Sequence, residues 1–317
     1  MLAGRRHAIR VAKEQFTYPE TQSLFKAIET LRQRSGVSRG QAFEDFLTAV
    51  VCALAAETKE EEYLSMVERH KKGRKGQRGI DLIPQMFGEL VYAMDKTDAD
   101  ILGDLFQGAI TYGENGLYLT PDAVTSLMAK LTVDPDARPE DGAIQYVSDC
   151  CCGTGRMLLE AAKINPEAEL VGQDIDARCA NISAINLGLR GKYGWVVCGN
   201  ALSGETQFAY RIGHFYHEAP NGLRRGVIRD VRPADTPVPV IADRLRQSAG
   251  SLFDQVEESP EPPPAGELPQ IIEVPRWIAR LEKATAKLEE REPQPAEKSA
   301  PIAKPCDDPP PTQKHLF

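Results

Sequence analysis

Apolar residues recur at helical spacing through the first third of the chain. One stripe lies within the first 35 residues, and a second follows Ser38–Gln41, whose first and last residues form a capping-box pattern. Further helices are predicted over residues 60–70 and 83–94, and another after Asp100. These patterns predict a helical domain over residues 1–112.

From residue 113 to about 232 the periodicity changes to short apolar runs that alternate with helical segments. The runs end near Val147, Val171 and Val197, each followed by a polar or glycine-containing turn. Strands alternating with helices predict an α/β fold with a parallel sheet. The helices are expected over residues 121–131, 155–163 and 176–188.

Residues 233–317 hold most of the 23 prolines and are expected to be largely disordered, because they have too little apolar surface to form a core. One segment near 276–290 keeps helical spacing and is predicted to form a short helix that docks on the body or on a partner. Its apolar positions are Trp277, Leu281, Ala284 and Leu288.

Composition narrows the class of protein. The net charge of −8 gives no global basic field that would attract nucleic acid. The amino-terminal residues do not form a secretory signal, and no apolar run is long enough to span a bilayer. The seven cysteines lack the paired spacing of a metal site, so we predict a cytoplasmic protein with no metal and no membrane partner.

A basic segment separates the third and fourth predicted helices. Its five positive charges and two glycines fit two interpretations, a solvated loop or a flexible loop that contacts a phosphate backbone. The second gains weight because the rest of the chain is acidic. The candidate DNA-backbone residues are Lys71, Lys72, Arg74, Lys75 and Arg78.

The first predicted strand runs into a glycine loop, residues 149–155, and then into a helix. Gly153 and Gly155 lack a Cβ, so the backbone can turn sharply and lie close to a ligand. The free N–H groups of the following helix face the same place. Strand, glycine loop and helix together form the first turn of a nucleotide-binding βαβ unit.

Polar residues stand at the other strand ends. Asp174 ends the second strand about 20 residues after the glycines, where an acid can accept hydrogen bonds from ribose hydroxyls. Asp176 is expected to cap the next helix. Asn200 follows the third strand and can offer a donor and an acceptor to an adenine edge. Upstream, Thr120 and Pro121 are predicted to be the N-cap and first residue of a helix.

Four segments resemble motifs of N6-adenine DNA methyltransferases, especially the modification subunits of type I restriction systems. They are Gly116 to Pro121, Asp149 to Gly155, Val171 to Asp176 and Gly199 to Leu202, in the family's order and spacing. The likeness covers roughly residues 80–205. It implies a Rossmann-like methyltransferase fold over residues 113–232 and S-adenosylmethionine as the cofactor.

The resemblance also assigns cofactor-binding roles to matching positions. Thr120 and Pro121 would border the methionine end, and Asp149, Gly153 and Gly155 would hold the methionine moiety. Asp174 would bind the ribose and Asn200 the adenine. DNA and a specificity or catalytic partner subunit are the implied macromolecular partners.

The family's catalytic loop, Asn or Asp followed by two prolines and an aromatic residue, is not found downstream of Asn200. The one Asp-Pro-Pro, at residues 308–310, is followed by Pro311 and is interpreted as low complexity. No clear later strands are predicted, because residues 226–231 and 238–242 are short and interrupted by arginine or proline. The predicted sheet is therefore truncated relative to the family's, which has about seven strands.

Three functions remain open, and the catalytic residues are unknown. The chain is an adenine-specific DNA methyltransferase of a restriction-modification or mobile-element type, or an inactive or partner-dependent cofactor-binding subunit that binds DNA. An RNA or protein methyltransferase would share the same cofactor site.

The carboxyl terminus carries a separate short pattern. Gln313, Leu316 and Phe317 resemble the peptide by which bacterial DNA-handling proteins bind the replication sliding clamp. The alternative is a terminus with no binding role.

Overall fold

The computed structural model describes residues 14–56, 58–111, 118–135, 144–219 and 222–243. By its internal contacts the chain divides into two units, Met1–Gln255 and Val256–Phe317, and all the described residues belong to the first. The predicted helix near 276–290 and the clamp-like terminus lie outside the described residues.

The amino-terminal region is helical, as its periodicity predicts. Ser38 accepts a hydrogen bond from the backbone N–H of Gln41 at 3.1 Å, so the Ser half of the predicted capping box forms. The Gln41 amide instead donates to Asp45, at 3.1 Å. The helices are α1 (Pro19–Ser35), α2 (Arg39–Leu54), α3 (Glu60–His70) and α4 (Ile83–Thr97), the last preceded by a 3₁₀ turn (Ile80–Leu82).

A short helix, α5 (Ile101–Leu105), continues into a π-helical turn, Phe106–Thr111. Asp100 is its N-cap and accepts a hydrogen bond from the Gly103 N–H at 2.8 Å. The turn places Phe106 against Phe43 of α2, with 5.6 Å between ring centroids. This stacking anchors the end of the helical region in the core.

The second region is α/β, as predicted. The first three strands are parallel and adjacent in chain order, and each ends within three residues of its predicted position. The elements are α6 (Asp122–Thr132), β1 (Tyr146–Asp149), α7 (Arg156–Ile164), β2 (Glu169–Asp174), α8 (Ala177–Leu189) and β3 (Gly194–Gly199).

Helices α7 and α8 cover the same face of the sheet. Gly172, Val196 and Tyr210 form one cross-strand row on that face. Leu158 of α7 lies so close to Gly172 that a Cβ there would be 3.0 Å from its Cδ1. Asn181 of α8 accepts a hydrogen bond from the Tyr210 hydroxyl at 3.2 Å. Helix α2 packs behind α8, so buried residues of the helical region and of the sheet form one continuous core.

The chain after β3 forms a long antiparallel hairpin, β4 (Thr206–Ala219) and β5 (Gly222–Val231). The expectation that this stretch contains no clear strands is wrong. Its arginines do not prevent pairing, because Arg224, Arg225 and Arg229 are solvent-exposed. Beyond the hairpin, the first residues of the predicted tail include a 3₁₀ turn, Pro233–Asp235.

The described sheet contains one βαβαβ half of a doubly wound fold, extended by the hairpin on the β3 side. The order is β1-β2-β3-β4-β5, so β1 is the outer strand on the other side. The prediction of a Rossmann-like α/β fold is confirmed. Among the described residues, no helix is long and apolar enough to cross a bilayer.

Candidate functional site

The glycine loop after β1 is held from the carboxyl end of β2. The N–H of Cys152 donates to the carbonyl of Gln173 at 2.9 Å, and the N–H of Gly153 donates to Oδ2 of Asp174 at 2.8 Å. Gly153 adopts φ +54° and Gly155 φ +84°, a region that favours glycine. The sequence therefore places glycine where the backbone requires it.

Gly155 has a packing role beside any ligand role. A Cβ on this residue would lie 2.7 Å from Oγ and 3.3 Å from Cβ of Ser183 in α8. The absence of a side chain lets the start of α7 approach α8 closely. Gly155 is the last residue of the glycine loop and the N-cap of α7.

Asp100 connects the helical region to this loop. Its carboxylate is 5 % exposed, and its Oδ2 accepts from the Thr154 hydroxyl at 2.5 Å and from Nε of Arg156 at 2.8 Å. Its Oδ1 accepts from the Asn186 amide at 2.8 Å, as well as from Gly103. One carboxylate therefore joins α5, the glycine loop, α7 and α8. The sequence identified Asp100 as a helix cap, at the start of a helix that resembles one in the family, and did not predict its contacts with the glycine loop.

The start of α6 differs by one residue from the prediction. Pro121 is the N-cap, with φ −59° and ψ 145°, and the helix begins at Asp122. Thr120 is therefore not the N-cap, because the extended ψ of Pro121 keeps that residue out of the helix. The Thr120 carbonyl accepts from Arg156 at 3.4 Å, which ties this segment to the start of α7.

Tyr18 joins the same cluster. Its hydroxyl donates to the Asp122 carboxylate, and Arg156 lies 3.6 Å from the other Asp122 oxygen. Partial burial and the hydrogen bond to Asp122 raise the pKa of Tyr18 to about 12. The phenol therefore stays protonated and acts as a donor.

Asp176 has the capping role that the sequence predicts, and Asp174 makes a different set of contacts. Asp176 caps α8 by accepting the Arg178 N–H at 2.8 Å. Asp174 accepts the Asp176 N–H on Oδ1 at 2.9 Å and the Gly153 N–H on Oδ2. Each carboxylate oxygen has a second lone pair, so Asp174 can still accept from a ligand hydroxyl.

Asn200 follows β3 and closes its own turn. Its Oδ1 accepts from the backbone N–H of Leu202 at 2.9 Å and from that of Ser203 at 3.3 Å. The side-chain oxygen is thus committed locally, and the Nδ2 group is the donor that a ligand could use.

A cavity of about 180 Å³ lies between the glycine loop and the segment before α6. Of the residues predicted to bind the cofactor, Thr120, Asp149 and Gly153 line it. Pro121, Gly155, Asp174 and Asn200 do not. A larger cleft of about 710 Å³ runs along α7 towards the carboxyl end of α8, and Thr125 and Arg156 line both spaces.

Burial controls the titration of the groups in the loop. It raises the pKa of Asp149; the N–H of Cys151, 3.1 Å away, opposes this shift, and the Asp174 charge adds to it. Burial likewise raises the pKa of the Cys152 thiol, and partial desolvation together with the neighbouring Cys150 raises the pKa of the exposed Cys151 thiol. These thiols are therefore protonated and poor nucleophiles at neutral pH.

The basic loop is partly neutralised by its neighbours. Lys71 pairs with Glu68, and Arg78 pairs with Asp81 at 2.7 Å. Lys72, Arg74 and Lys75 are exposed, and no ion pair involves them within the described part of the chain.

Residues 97–206 match the family described as N-6 DNA Methylase. No curated protein matches the chain significantly.

Two solved structures share partial similarity with this chain. One is a protein from Listeria monocytogenes assigned to the class I S-adenosylmethionine-dependent methyltransferases, with 15 % identity and a TM-score of 0.31 over 55 % of this chain and 51 % of that one. The other is a type I restriction-modification methyltransferase subunit from Streptococcus thermophilus, with 14 % identity and a TM-score of 0.28 over 56 % and 57 %. The chain thus spans just over half the length of each.

The matched segment begins near Asp100 and ends at the start of β4, so it contains the glycine loop and the strand ends of the site, but not Tyr18 or the basic loop. S-adenosylmethionine, the cofactor expected from the sequence, is the methyl donor that this assignment implies. Over residues 97–206 the predicted resemblance is confirmed, because this segment matches the family described as N-6 DNA Methylase.

Proposed function

We propose that this chain binds S-adenosylmethionine and acts in adenine-N6 methylation of DNA, in a system of restriction-modification or mobile-element type. The observation that carries the proposal is the glycine loop, which Asp174 and Asp100 hold between them at the carboxyl ends of the parallel strands. Ligands bind at this edge of open α/β sheets.

The donors and acceptors of the site fit the cofactor. Asp174 would accept from the ribose hydroxyls through its remaining lone pairs, and the Asn200 Nδ2 would donate to the adenine. Asp149, Gly153 and Gly155 would hold the methionine moiety, with Thr120 and Pro121 at its end. Bound S-adenosylmethionine would supply an electrophilic methyl group on its sulfonium sulfur.

Asp149 is well placed for the charged end of that ligand. Its raised pKa reflects partial burial, which disfavours the charged form of the carboxyl group. The ammonium group of a ligand would place a positive charge beside the Asp149 carboxylate, whereas the neighbouring Asp174 is itself an acid and cannot do so. The cavity lined by Asp149 and Gly153 would take this part of the molecule.

The basic loop is proposed to contact the DNA backbone. His70, the residue before it, lies 2.8 Å from Asp45 of α2, which fixes the start of the loop. The exposed positive charges of the loop are what support the proposal.

The loop can be tested by removing its three unpaired charges. Joint replacement of Lys72, Arg74 and Lys75 by alanine is expected to weaken the salt dependence of DNA binding. The slope of log K against log salt concentration should fall in magnitude by about one for each phosphate that the variant no longer neutralises. Alanine at the exposed Lys26 and Lys130 is the control and should leave the slope unchanged. An unchanged slope in the loop variant would remove the loop from the DNA interface.

One observation favours the second candidate, a cofactor-binding subunit that depends on a partner for catalysis. The strand after β3 is antiparallel, so its carboxyl end points away from the glycine loop. No Asn-Pro-Pro or Asp-Pro-Pro segment occurs among the described residues to hold a target amino group. The acceptor-positioning group would then come from another polypeptide.

Calorimetry with S-adenosylmethionine tests the cofactor step. The native chain and an Asp176→Ala control are expected to bind, whereas Asp174→Ala should bind more weakly because the ribose acceptor is gone. Failure of the native chain to bind refutes the proposal for all candidates. Equal weakening by both substitutions would show that the effect reflects the stability of the β2–α8 turn.

Transfer of a labelled methyl group separates the candidates. Label on DNA adenine supports the first and excludes the inactive subunit. Cofactor binding without transfer, with and without added partner subunits, excludes the first. Label on RNA or protein would favour the third. A cytoplasmic location and the sliding-clamp contact of Gln313, Leu316 and Phe317 remain predictions.

A further inference from the structure

Arg156 brings a positive charge to the wall of the cavity at the glycine loop. It is the first residue of α7, and its side chain is 13 % exposed. Among the described residues that line this cavity, Arg156 is the only base and Asp149 the only acid. The amino-acid end of a ligand carries one carboxylate and one ammonium group near neutral pH. The two charges of the cavity therefore complement those of an α-amino acid.

Two acids hold the Arg156 guanidinium, and neither of them lines the cavity. Asp100 accepts from Nε at 2.8 Å, and Asp122 lies 3.6 Å from Nη1. Both acids border the larger cleft instead, whereas Arg156 borders the cleft and the cavity. The charge that the cavity meets at this wall is therefore the guanidinium and not the acids that orient it.

The guanidinium keeps a donor for a ligand. Nε donates to Asp100 and Nη1 to the Thr120 carbonyl, at 2.8 and 3.4 Å, while Nη2 donates to no acceptor within the described part of the chain. No buried side-chain nitrogen of the described residues lacks a partner, so Nη2 must face open space. Because a guanidinium has five N–H groups, Arg156 can pair with a ligand carboxylate and keep its present contacts.

The start of α7 adds to this preference for an anion. The helix has nine residues, and Arg156 and Met157 of its first turn both line the cavity. The N–H groups of a first turn have no acceptor within the helix, and the helix dipole places partial positive charge there. A carboxylate at this wall would meet the guanidinium and the helix terminus together.

We propose that Arg156 binds the carboxylate of the amino-acid end of S-adenosylmethionine, while Asp149 binds its ammonium group. This assignment rests on the proposed function, because it concerns the methionine moiety of the same cofactor. It makes Arg156 a residue that determines specificity. The chain would select the complete cofactor over related sulfonium nucleosides that lack the carboxylate.

Calorimetry of the full chain with two ligands tests the carboxylate contact. One ligand is S-adenosylmethionine, and the other is its decarboxylated analogue, which keeps the adenosine, the sulfonium and the ammonium group. The native chain should bind the first about tenfold to a hundredfold more tightly, as expected for hydrogen bonds to a charged group. Arg156→Gln should remove this preference by weakening the binding of S-adenosylmethionine, and should leave the affinity for the analogue unchanged.

Lys163→Gln is the matched control. Lys163 lies on the same helix, pairs with Glu160 and Asp98, and lines the cleft but not the cavity. Its replacement should change neither affinity. Circular dichroism checks that both variants are folded. The comparison of the two ligands in the native chain needs no variant, so it tests the proposal even if Arg156→Gln does not fold.

Two results would overturn the proposal and leave the proposed function intact. One is a native chain that binds S-adenosylmethionine no more tightly than the decarboxylated analogue. The other is a folded Arg156→Gln variant that keeps the native preference, since the substitution would then act on both ligands alike or on neither. A native chain that binds neither ligand would instead refute the proposed function, and this assignment with it.

Discussion

Replacing Asp100 by asparagine is expected to destabilise the fold, because it removes the carboxylate partner of a largely buried arginine. The amide oxygen of Asn can keep the contacts with Gly103 and Asn186, each 2.8 Å from Oδ1 in the native chain. The amide nitrogen would stand where Oδ2 now accepts from Thr154 and Arg156. The threonine hydroxyl can rotate and accept, whereas the guanidinium cannot.

The size of the effect follows from Arg156. Its side chain is 13 % exposed, and its next carboxylate, Asp122, lies 3.6 Å from Nη1. Breaking a buried ion pair by removing one partner costs about 3–5 kcal/mol. The residual contact with Asp122 places the expected loss near the lower end, at about 3 kcal/mol. In urea this corresponds to a midpoint shift of about 1 M for a slope near the upper end of the usual range.

Equilibrium urea unfolding, followed by circular dichroism, measures this loss. The control is Asp98→Asn, the same substitution two residues earlier, at a carboxylate that is 66 % exposed and pairs with Lys163 and Arg190. Pairs this exposed contribute about 1 kcal/mol or less. If both variants lose the same stability, or if Asp100→Asn loses less than its control, the argument from the buried carboxylate is refuted.

Three further predictions follow from the described contacts. Gly155→Ala should destabilise the chain, because the new Cβ would lie 2.7 Å from Ser183 Oγ in a residue with φ +84°. Adding Ser183→Gly should remove the steric part of this loss and leave about 1 kcal/mol of backbone strain, measured by urea unfolding. If the second substitution recovers no stability, Ser183 is not the obstacle. Burial alone would raise the pKa of Asp45, but hydrogen bonds from His70 and Arg69 outweigh it and lower the pKa, so this carboxylate stabilises the fold above its unfolded pKa of about 3.9 and less as the pH falls through its folded value. Asp45→Asn should therefore lower the melting temperature more at pH 7 than in acid, and a pH-independent difference would contradict this. Thiol labelling with peptide mapping should modify the exposed Cys150 and Cys151 first, and only later the buried Cys52, Cys152, Cys179 and Cys198. S-adenosylmethionine should slow the labelling of Cys151, because this residue lines the cavity. Equal labelling rates with and without cofactor would place the ligand elsewhere.

Local patterns were sufficient to predict the helices and the parallel strands. The apolar runs predicted to end near Val147, Val171 and Val197 become β1, β2 and β3, because each run is short, apolar and followed by a turn. Asp176 could be identified as a cap for the same reason, since capping depends on neighbours within one helical turn.

The hairpin was missed although the sequence contains a signal for it. Asn221-Gly222 is a dipeptide that favours a tight hairpin turn, and Tyr210 and Ile212 supply part of one buried face. Its strands read as irregular because the register shifts between Ile212 and Phe215, which interrupts the alternation of buried and exposed positions.

The contacts of Asp100 could not be predicted from spacing. Thr154, Arg156 and Asn186 lie more than fifty residues away in sequence, and only the tertiary fold brings them to the residue that caps α5. The commitment of the Asn200 oxygen to its own turn is different, because asparagine commonly bonds to backbone N–H groups two or three residues later. This hydrogen bonding of Asn200 within its own turn could therefore have been predicted from the sequence.

The position of Asp100 also determines where the chain can be divided. By sequence it belongs to the predicted helical domain, yet its carboxylate holds the glycine loop of the α/β region. A recombinant fragment that starts at residue 113 would retain Arg156 and Thr154 without their acceptor. A fragment that starts before Asp100 would keep this acceptor, in agreement with the family match that begins at residue 97. The minimal cofactor-binding unit is therefore expected to include α5.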